Sequence, residues 1–434
     1  MTPRGGRLLG HRDFLLLWGG QSASDVGTAV STVVLPLIAV VYLHATPFEV
    51  GALAAAQWLP WLLIGLPAGV WVDRSRRRPL LIGCDVVRGL LIASVPVAAA
   101  FGVLGIGQLF AVAFLTGIAT VIFQVAYLAY LPTLVERADL AEGNAKLQGS
   151  GAVAQVVGPG LGGLLVQAFR APFALIADAV SYAVSLAALL AIRAREPAPE
   201  PIRPAGLRRD IAEGARYVRR DPLLRVMTIA PALTNFFFTG FEAIVVLFLV
   251  RSVHLQPSGV GLLVGVVSLG SVVGAALARP VGRWIGTSRA LWLVSLCTAP
   301  FGLLIPLTTR GAGLAYFVAG NATLFAGILV YNVTISSFRQ AYCPPVILGR
   351  VVATMRFVLF GTIPLGALAG GALASAFGSR TAMWLLLAGN VLPAVVLAAS
   401  PLRHIRDLPD LPDRPSDHPS GVLLAETPDR MTHT

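Results

Sequence analysis

The chain has 434 residues, of which 56% are hydrophobic and only 12% charged, and its formal net charge is +12. A soluble protein of this size carries about 25% charged residues, and several apolar runs here exceed 18 residues, so the composition describes a polytopic membrane protein. The positive charge belongs to loops at a membrane surface, because no soluble segment is long enough to form a basic domain; no nucleic acid is expected as a partner.

Arg4, Arg7 and Arg12 precede the first apolar run, which is too long for a signal-peptide core and ends in no small-residue cleavage pattern. It reads as an uncleaved first span. Spans of roughly 20 residues fall near 14–43, 48–72, 80–101, 107–128, 146–168 and 172–192, and resume near 225–250, 258–278, 289–308, 312–335, 351–376 and 381–400. The expected organisation is all-α: a six-helix bundle over 1–192, a linker over 193–222, a second six-helix bundle over 223–400 and a disordered tail over 401–434. An even number of spans puts both termini on one side. Assigning each arginine and lysine to the nearest loop or helix end puts 29 on that side and four (Arg170, Arg251, Arg310 and Arg380) on the other. Cytoplasmic loops carry the excess, so both termini are expected in the cytoplasm.

The linker runs from a Pro-Glu stretch into Arg208, Arg209, Arg216, Arg219 and Arg220. Its later part suits either an amphipathic helix on the inner surface or a solvated connection. The tail from Pro401 is rich in Pro and Asp without an apolar period, which predicts disorder. The two halves repeat with a lag of about 210 residues. Val50-Gly51 recurs as Val260-Gly261, Pro47 as Pro257, and Asp25 falls opposite Asn235; Gly162-Gly163 with Phe169 recurs as Gly370-Gly371 with Phe377. Parallel six-helix repeats place a binding site between the halves, near the membrane midplane.

Several chemistries are excluded. Cys84, Cys297 and Cys343 have no paired spacing, so neither a disulfide framework nor a metal site is expected. Gly143-Asn144-Ala145-Lys146-Leu147 contains the one lysine and is not a Walker A loop, which excludes ATP-driven transport by this chain alone. No zinc-protease motif or nucleophile elbow occurs, so no enzyme and no cofactor is expected.

The most informative stretch runs from Gly65 to Pro79: glycines four apart (Gly65, Gly69), then Asp73, Arg74, Arg76, Arg77, Arg78 and Pro79 before another apolar run. Physically it is a tight turn at the membrane surface, with small residues for helix contact and charge that cannot enter lipid. A weaker copy with Arg279, Arg283 and Arg289 lacks the acid. The turn resembles the signature loop of major facilitator superfamily transporters. The resemblance extends through Asp13-Phe14, Leu17-Trp18 and Gln21-Ser22, then Asp85 with Arg88, Asp178-Ala179 with Ser181-Tyr182, and Gly349-Arg350-Val351. It is nearest to the drug:proton antiporter branch with macrolide-efflux and enterobactin-exporter-like proteins. Gly158-Pro159 with Gly162-Gly163 resembles that branch's antiporter motif, with Ala154 where a glycine is usual.

The resemblance implies that Asp73, at a helix end where the dipole repels an anion, latches against the start of the eleventh helix near Gly349–Val351. Arg74, Arg77 and Arg78 join that gate or anchor the turn on anionic lipid. Asp85 and Arg88, three apart on one helix face, form a structural pair or a second gate contact. Three carboxylates are proton-carrier candidates, because an acid inside a membrane is functional by default: Asp25, about 16 Å along the first helix, Glu242, and Asp178, which is equally suited to structural hydrogen bonding. Gln21, Gln57, Asn235, Phe238 and Asn332 are candidate cavity residues, with Gln155 and the helix-breaking Pro36, Pro60, Pro231 and Pro364 nearby. The phenylalanines from Phe236 to Phe238 beside Glu242 suit an amphipathic, cationic organic molecule. The expected function is proton-coupled export of such a molecule from a monomer in the lipid bilayer. The arginine bias points to a bacterial plasma membrane. The alternatives are a siderophore exporter, a lysolipid flippase or importer on the same fold, and a non-transporting scaffold or receptor.

Overall fold

A computed structural model of the protein describes residues 7–136, 139–194, 196, 207–343 and 345–408. Among these residues every regular element is helical, and twelve helices are long and apolar enough to cross a membrane. We number them as spans 1–12: Arg12–Tyr42, Pro47–Asp73, Arg77–Ala100, Ile106–Leu134, Leu140–Ala168 and Ala171–Ala191, then Pro222–Arg251, Pro257–Ile285, Thr287–Leu307, Leu314–Tyr342, Pro345–Phe377 and Ser379–Ala398.

Helix ends follow local chemistry. Thr46 and Glu49 form a reciprocal capping box at the start of span 2, with Pro47 at the first helical position. Asp221 accepts from the Leu223 and Leu224 amides at the start of span 7, again followed by proline. Span 1 passes Pro36 into a π-helical turn over Ile38–Tyr42, span 9 ends in a 3-10 segment over Ala299–Leu307, and span 12 is interrupted at Asn390–Val391. At the end of span 9 the Pro306 and Thr308 carbonyls accept from Arg380 at 2.7 and 3.1 Å.

With twelve crossings, both ends of the described chain lie on one face, here called the terminal face; the opposite one is the distal face. The buried apolar residues divide unequally between them. Toward the distal face one continuous core joins the halves, from Val30–Val40, Val50 and Leu53 to Phe241–Leu249, Val260 and Val267. Toward the terminal face there are two separate cores. Leu8, Phe14, Val72, Leu81 and Tyr130 belong to the first half; Val218, Leu224, Leu291, Val351 and Leu402 belong to the second. The halves are fused distally and separate terminally.

The linker forms a helix over Leu207–Arg220 that packs on the terminal end of span 11. A Cβ on Gly214 would lie 2.5 Å from the Arg350 carbonyl oxygen, Glu213 pairs with Arg350 at 2.6 Å, and Val218 is buried. Of the alternatives above, this is the amphipathic helix, with its apolar side on protein. The side chains of Arg208 and Arg209 fall outside the description.

The expected tail is corrected at its start. Residues Pro401–His404 form a helical turn with Leu402 fully buried, and the following residues bind the span 8–9 turn. Asp407 Oδ1 accepts from the Thr287 amide at 3.0 Å, and the Arg406 carbonyl accepts from Ser288. Gly286, at φ 96°, lets that carbonyl approach within 2.3 Å of where a Cβ would sit. Composition alone misjudges this segment because one buried leucine and a few backbone bonds hold it, with no periodic apolar face. The first half has the same device. Glu196, just past span 6, accepts from the amides of Arg77 at 2.7 Å and Arg78 at 3.2 Å at the start of span 3. Each half thus ends in a strap that returns a carboxylate to the N-terminus of its third helix, where the helix dipole favours an anion. The turn that lacks an acid in its own sequence receives Asp407 from the strap. Residues 409–434 lie outside the described residues.

Candidate functional site

The distal seal is made by glycines at two crossings. A Cβ on Gly51 of span 2 would lie 2.7 Å from Gly371 Cα of span 11; one on Gly163 of span 5 would lie 2.9 Å from Gly261 Cα of span 8 and 2.5 Å from the Pro257 carbonyl oxygen. Real Cβ atoms do not come within 3.0 Å of a neighbour, so only glycine permits either crossing. The two crossings are equivalent under the internal repeat. The repeat matches Gly51 to Gly261 and Gly163 to Gly371, so each crossing joins one member of each matched pair. The remaining antiporter-motif residues act on either side of span 5: Gly158 and Gly162 rest on Ala29 and Val30 of span 1, while the Pro159 carbonyl faces Gly261. Arg251 adds a hydrogen bond to the Ala45 carbonyl at 2.7 Å.

Spans 2 and 11 stay in contact to Trp61 and Phe360, whose rings stack at 4.8 Å, and to Leu62 beside Gly361. Beyond that they part. A Cβ on Gly65 would meet only its own Trp61, and one on Gly69 or Gly349 would meet nothing within 4 Å. The close helix contact expected at Gly65 and Gly69 is not made in this conformation. Asp73 is exposed and has no ion pair or hydrogen bond among the described residues, and Arg74 is exposed. The other two arginines of the turn are tied into their own bundle. Arg77 pairs with Glu196 at 3.4 Å, and Arg78 donates to the Leu189 and Leu190 carbonyls at 3.0 and 3.1 Å. If Asp73 latches the terminal face when it closes, Asp73→Asn inserts normally and loses roughly tenfold or more of transport. Full transport by a well-expressed Asp73→Asn protein rules the latch out.

Of the two roles expected for Asp85 and Arg88, structural pair or gate contact, this conformation displays the pair. Both are nearly fully buried, 1% and 4% exposed, and paired within the first half. Asp85 also accepts from Ser185 Oγ at 2.7 Å. The Arg88 guanidinium lies between the rings of Phe123 at 4.0 Å and Tyr182 at 4.6 Å. These partners come from spans 3, 4 and 6, and none from the second half.

Asp178 is likewise enclosed. It accepts from Ser31 and Ser181, and a Cβ on Gly27 would lie 2.6 Å from its Oδ1, so spans 1 and 6 close over it. Its surroundings are those of a structural hydrogen-bond acceptor. Asp25 differs: it is half-buried, accepts from Gln21 Nε2 at 2.7 Å, and faces Gly151 of span 5.

Glu242 sits on span 7, two and a half turns from the distal end at Arg251. Protein surrounds it on all sides, yet its side chain keeps open surface and has no hydrogen-bond partner among the described residues. It therefore lines the cleft near its closed end. Phe238, one turn away, packs edge-on against Phe325 of span 10 at 5.4 Å. Gln57 and Gln155 are exposed on spans next to the two crossings. Asn235 and Asn332 line a separate cavity of about 70 Å³ inside the second half. Among the described residues no group of His, Cys, Asp and Glu is placed to hold a metal ion. Sequence reasoning missed the carboxylates of the two straps and the rings around Arg88; an acid shortly after the last span of each half, Glu196 and Asp407, was the sequence signal for the first.

Residues 8–429 match the family described as transmembrane secretion effector, of the major facilitator type. The chain belongs to that family. The transporter is 29% identical to the multidrug efflux pump Tap of Mycobacterium tuberculosis over 426 residues, covering 94% of this chain and 97% of that one. It is 21% identical to macrolide efflux protein A of Streptococcus pyogenes over 407 residues, covering 91% and 97%. Among solved structures, a variant of the nucleoside transporter NupG superposes with TM-score 0.77 at 12% identity, covering 89% of this chain and 99% of that one. A bacterial homologue of the lysosomal transporter Spinster, in an inward-facing and unoccupied conformation, gives TM-score 0.70 at 16% identity, covering 89% and 96%. These likenesses establish the fold. The protein is a multi-pass membrane transporter and not an enzyme.

Proposed function

We propose that the transporter exports a small amphipathic organic molecule in exchange for protons by alternating access, with both termini in the cytoplasm. The observation that carries this reading is the asymmetry of closure, sealed at two glycine crossings on the distal face and parted on the terminal face around Asp73, which has no partner among the described residues. A machine with one gate made and the other unmade is poised between two states that rocking of the halves would exchange. The strong excess of arginine on the terminal side supports a cytoplasmic assignment for it. The names of the relatives, multidrug and macrolide efflux pumps, support an exported cargo of drug-like size.

Asp25 and Glu242 are the carboxylates this reading assigns to coupling, one in each half, because both reach open or half-open surface. Asp178 then has a structural part. Neutralising a coupling acid removes the means by which the proton gradient biases the two states, without removing the cavity. In proteoliposomes with an imposed pH gradient, Asp25→Asn and Glu242→Gln are expected to lose about a hundredfold in gradient-driven flux while binding cargo within about threefold of the wild type. Gradient-driven flux that persists in the double variant excludes both.

A further inference from the structure

Span 11 carries an arginine on the face it turns toward the other half. Arg356, Phe360, Ile363 and Ala367 lie at i, i+4, i+7 and i+11 and share one stripe of that helix. The stripe runs out of packed protein into open space. Ala367 has no exposure and packs in one cluster with Ala55 of span 2 and Ala243 of span 7. Ile363 is buried, and Phe360 stacks on Trp61 of span 2. One turn further Arg356 is exposed. It therefore projects between the directions of spans 2 and 7, into the cleft that opens where span 2 leaves span 11. The lipid side of span 11, where Val358 and Leu365 are exposed, lies about 160° away around the helix.

A second arginine stands level with it. Gly366 lies against the Phe236 carbonyl and Gly370 against that of Gly240. Spans 7 and 11 run parallel, and this register sets Arg225 beside Arg356 to within about a residue. Arg225 is exposed as well, on the same face of span 7 as Ala243. Neither guanidinium has an ion pair or hydrogen bond among the described residues. The described acids on the terminal side of this half are engaged elsewhere. Glu213 pairs with Arg350 at 2.6 Å, Asp221 accepts from two amides and the Tyr342 hydroxyl, and Asp407 accepts from Thr287. Glu242, next to Ala243, lies roughly three turns nearer the distal seal. Across the cleft, span 2 has no acid from Trp61 to Val72. Closing the halves would bring Gly65 to Arg356, because Asp73 lies about 12 Å further along span 2. Nor does the fold need cations here: under the repeat Arg356 corresponds to Gln148 and Arg225 to Leu15.

We propose that Arg356, supported by Arg225, is an anion site in the wall of the cleft, taking a carboxylate or phosphate borne by an amphipathic molecule. A guanidinium presents paired donors that match either oxyanion. Arg356 lies about 32 Å along span 11 from its distal end at Phe377, close to the thickness of the hydrocarbon core. The charge thus stands at headgroup depth on the terminal side, with the Phe360 and Trp61 rings one turn deeper for an apolar chain. An acidic cargo entering the cleft and an anionic phospholipid leaning in between spans 2 and 11 present the same chemistry. An amphipathic anion or zwitterion fits this wall better than the purely cationic cargo that Phe236 to Phe238 suggest. This deepens the reading of the protein as a carrier of small amphipathic molecules and rests on it for the path of the cargo, but not for the direction or coupling of transport.

Trp61, stacked on Phe360 one turn from Arg356, reports on the site. The purified full chain in neutral detergent is titrated with 11-bromoundecanoate and 11-bromoundecanol, whose bromine quenches tryptophan and whose polar ends differ chiefly in charge. Quenching that Trp61→Phe removes is the signal. The wild type is expected to bind the carboxylate about tenfold more tightly than the alcohol. Arg356→Gln should bring the two within about twofold, Arg225→Gln should weaken the carboxylate about threefold, and Arg356→Lys should keep most of the preference. A second arm places the chain in nanodiscs containing dibrominated phosphatidylglycerol or dibrominated phosphatidylcholine. Stronger quenching of Trp61 by the anionic lipid, lost in Arg356→Gln, assigns the site to a headgroup; a carboxylate preference without it assigns the site to cargo. Equal affinity for carboxylate and alcohol together with equal quenching by the two lipids, or a preference that survives Arg356→Gln, overturns the site and leaves a hydrated arginine. Because binding is read and not flux, a chain that holds the anion but exports nothing keeps the site and loses the exporter reading. One that exports but shows no preference loses the site alone.

Discussion

Gly163→Val is expected to shift the protein out of the conformation described here. A Cβ at residue 163 would fall 2.5 Å from the Pro257 carbonyl oxygen and 2.9 Å from Gly261 Cα, both backbone atoms that cannot rotate aside. Forcing side-chain atoms into a packed contact typically costs about 1–3 kcal/mol, and each 1.4 kcal/mol changes a two-state ratio tenfold. The cost falls on the distally sealed state alone, because spans 5 and 8 must part there for the distal face to open. Gly51→Val should act alike at the crossing with Gly371, the equivalent position under the repeat. Spin labels at residues 169 and 256, both exposed at the distal ends of spans 5 and 8, would report a new long-distance population in the variants, with transport reduced at least tenfold. Gly69→Ala should do the opposite. A Cβ there meets nothing in this state, so the change is silent here and hinders closure of the terminal face instead. If Gly163→Val leaves the distal distance distribution unchanged, the crossings are not the seal.

How far the sequence could be read depended on whether a feature repeats or is local. The twelve spans, the two halves and the glycines at Gly51, Gly163, Gly261 and Gly371 were legible because hydrophobic length and internal lag are written along the chain. That Gly51 would meet Gly371 and Gly163 would meet Gly261 was not, since pairing across halves is a tertiary fact. The Asp73 turn was legible as a charged turn at the membrane surface, but only the structure reports that it is parted from span 11 here. Asp85 and Arg88 were legible as a pair; the rings of Phe123 and Tyr182 that enclose the cation come from spans remote in sequence. Residues 401–408 were misjudged for a related reason: Leu402 and Asp407 act singly, and single anchors leave no period. Asp178 read by depth as either a proton carrier or a structural hydrogen-bonder. Its serine partners and the small Gly27 opposite, which close it in, are recognisable only once spans 1 and 6 are side by side.

Arg88→Leu is expected to be the most destabilising single change in the first half. Asp85 and Arg88 are almost without exposure and neutralise each other as an ion pair. Taking away one partner leaves a buried carboxylate that must ionise alone or take a proton, and breaking a buried pair typically costs about 3–5 kcal/mol. The lost stacking on Phe123 and Tyr182 adds to that, at about 0.5–2 kcal/mol per cation–ring contact. Asp85→Leu should be comparably harmful, since it strands the guanidinium, whose Nε is already without a hydrogen-bond partner. The double variant should recover much of the loss, because a pair replaced by apolar groups of similar volume is often near neutral. Unfolding of the purified chain across this double-mutant cycle measures the coupling directly. It also separates the two roles the sequence left open. A structural pair predicts a double variant that is stable and still closes both faces. A gate predicts a double variant that folds as well as the wild type but stays locked in one state, with the distal label distance no longer responding to cargo or pH. We expect the first outcome, because every partner the pair makes lies within its own bundle.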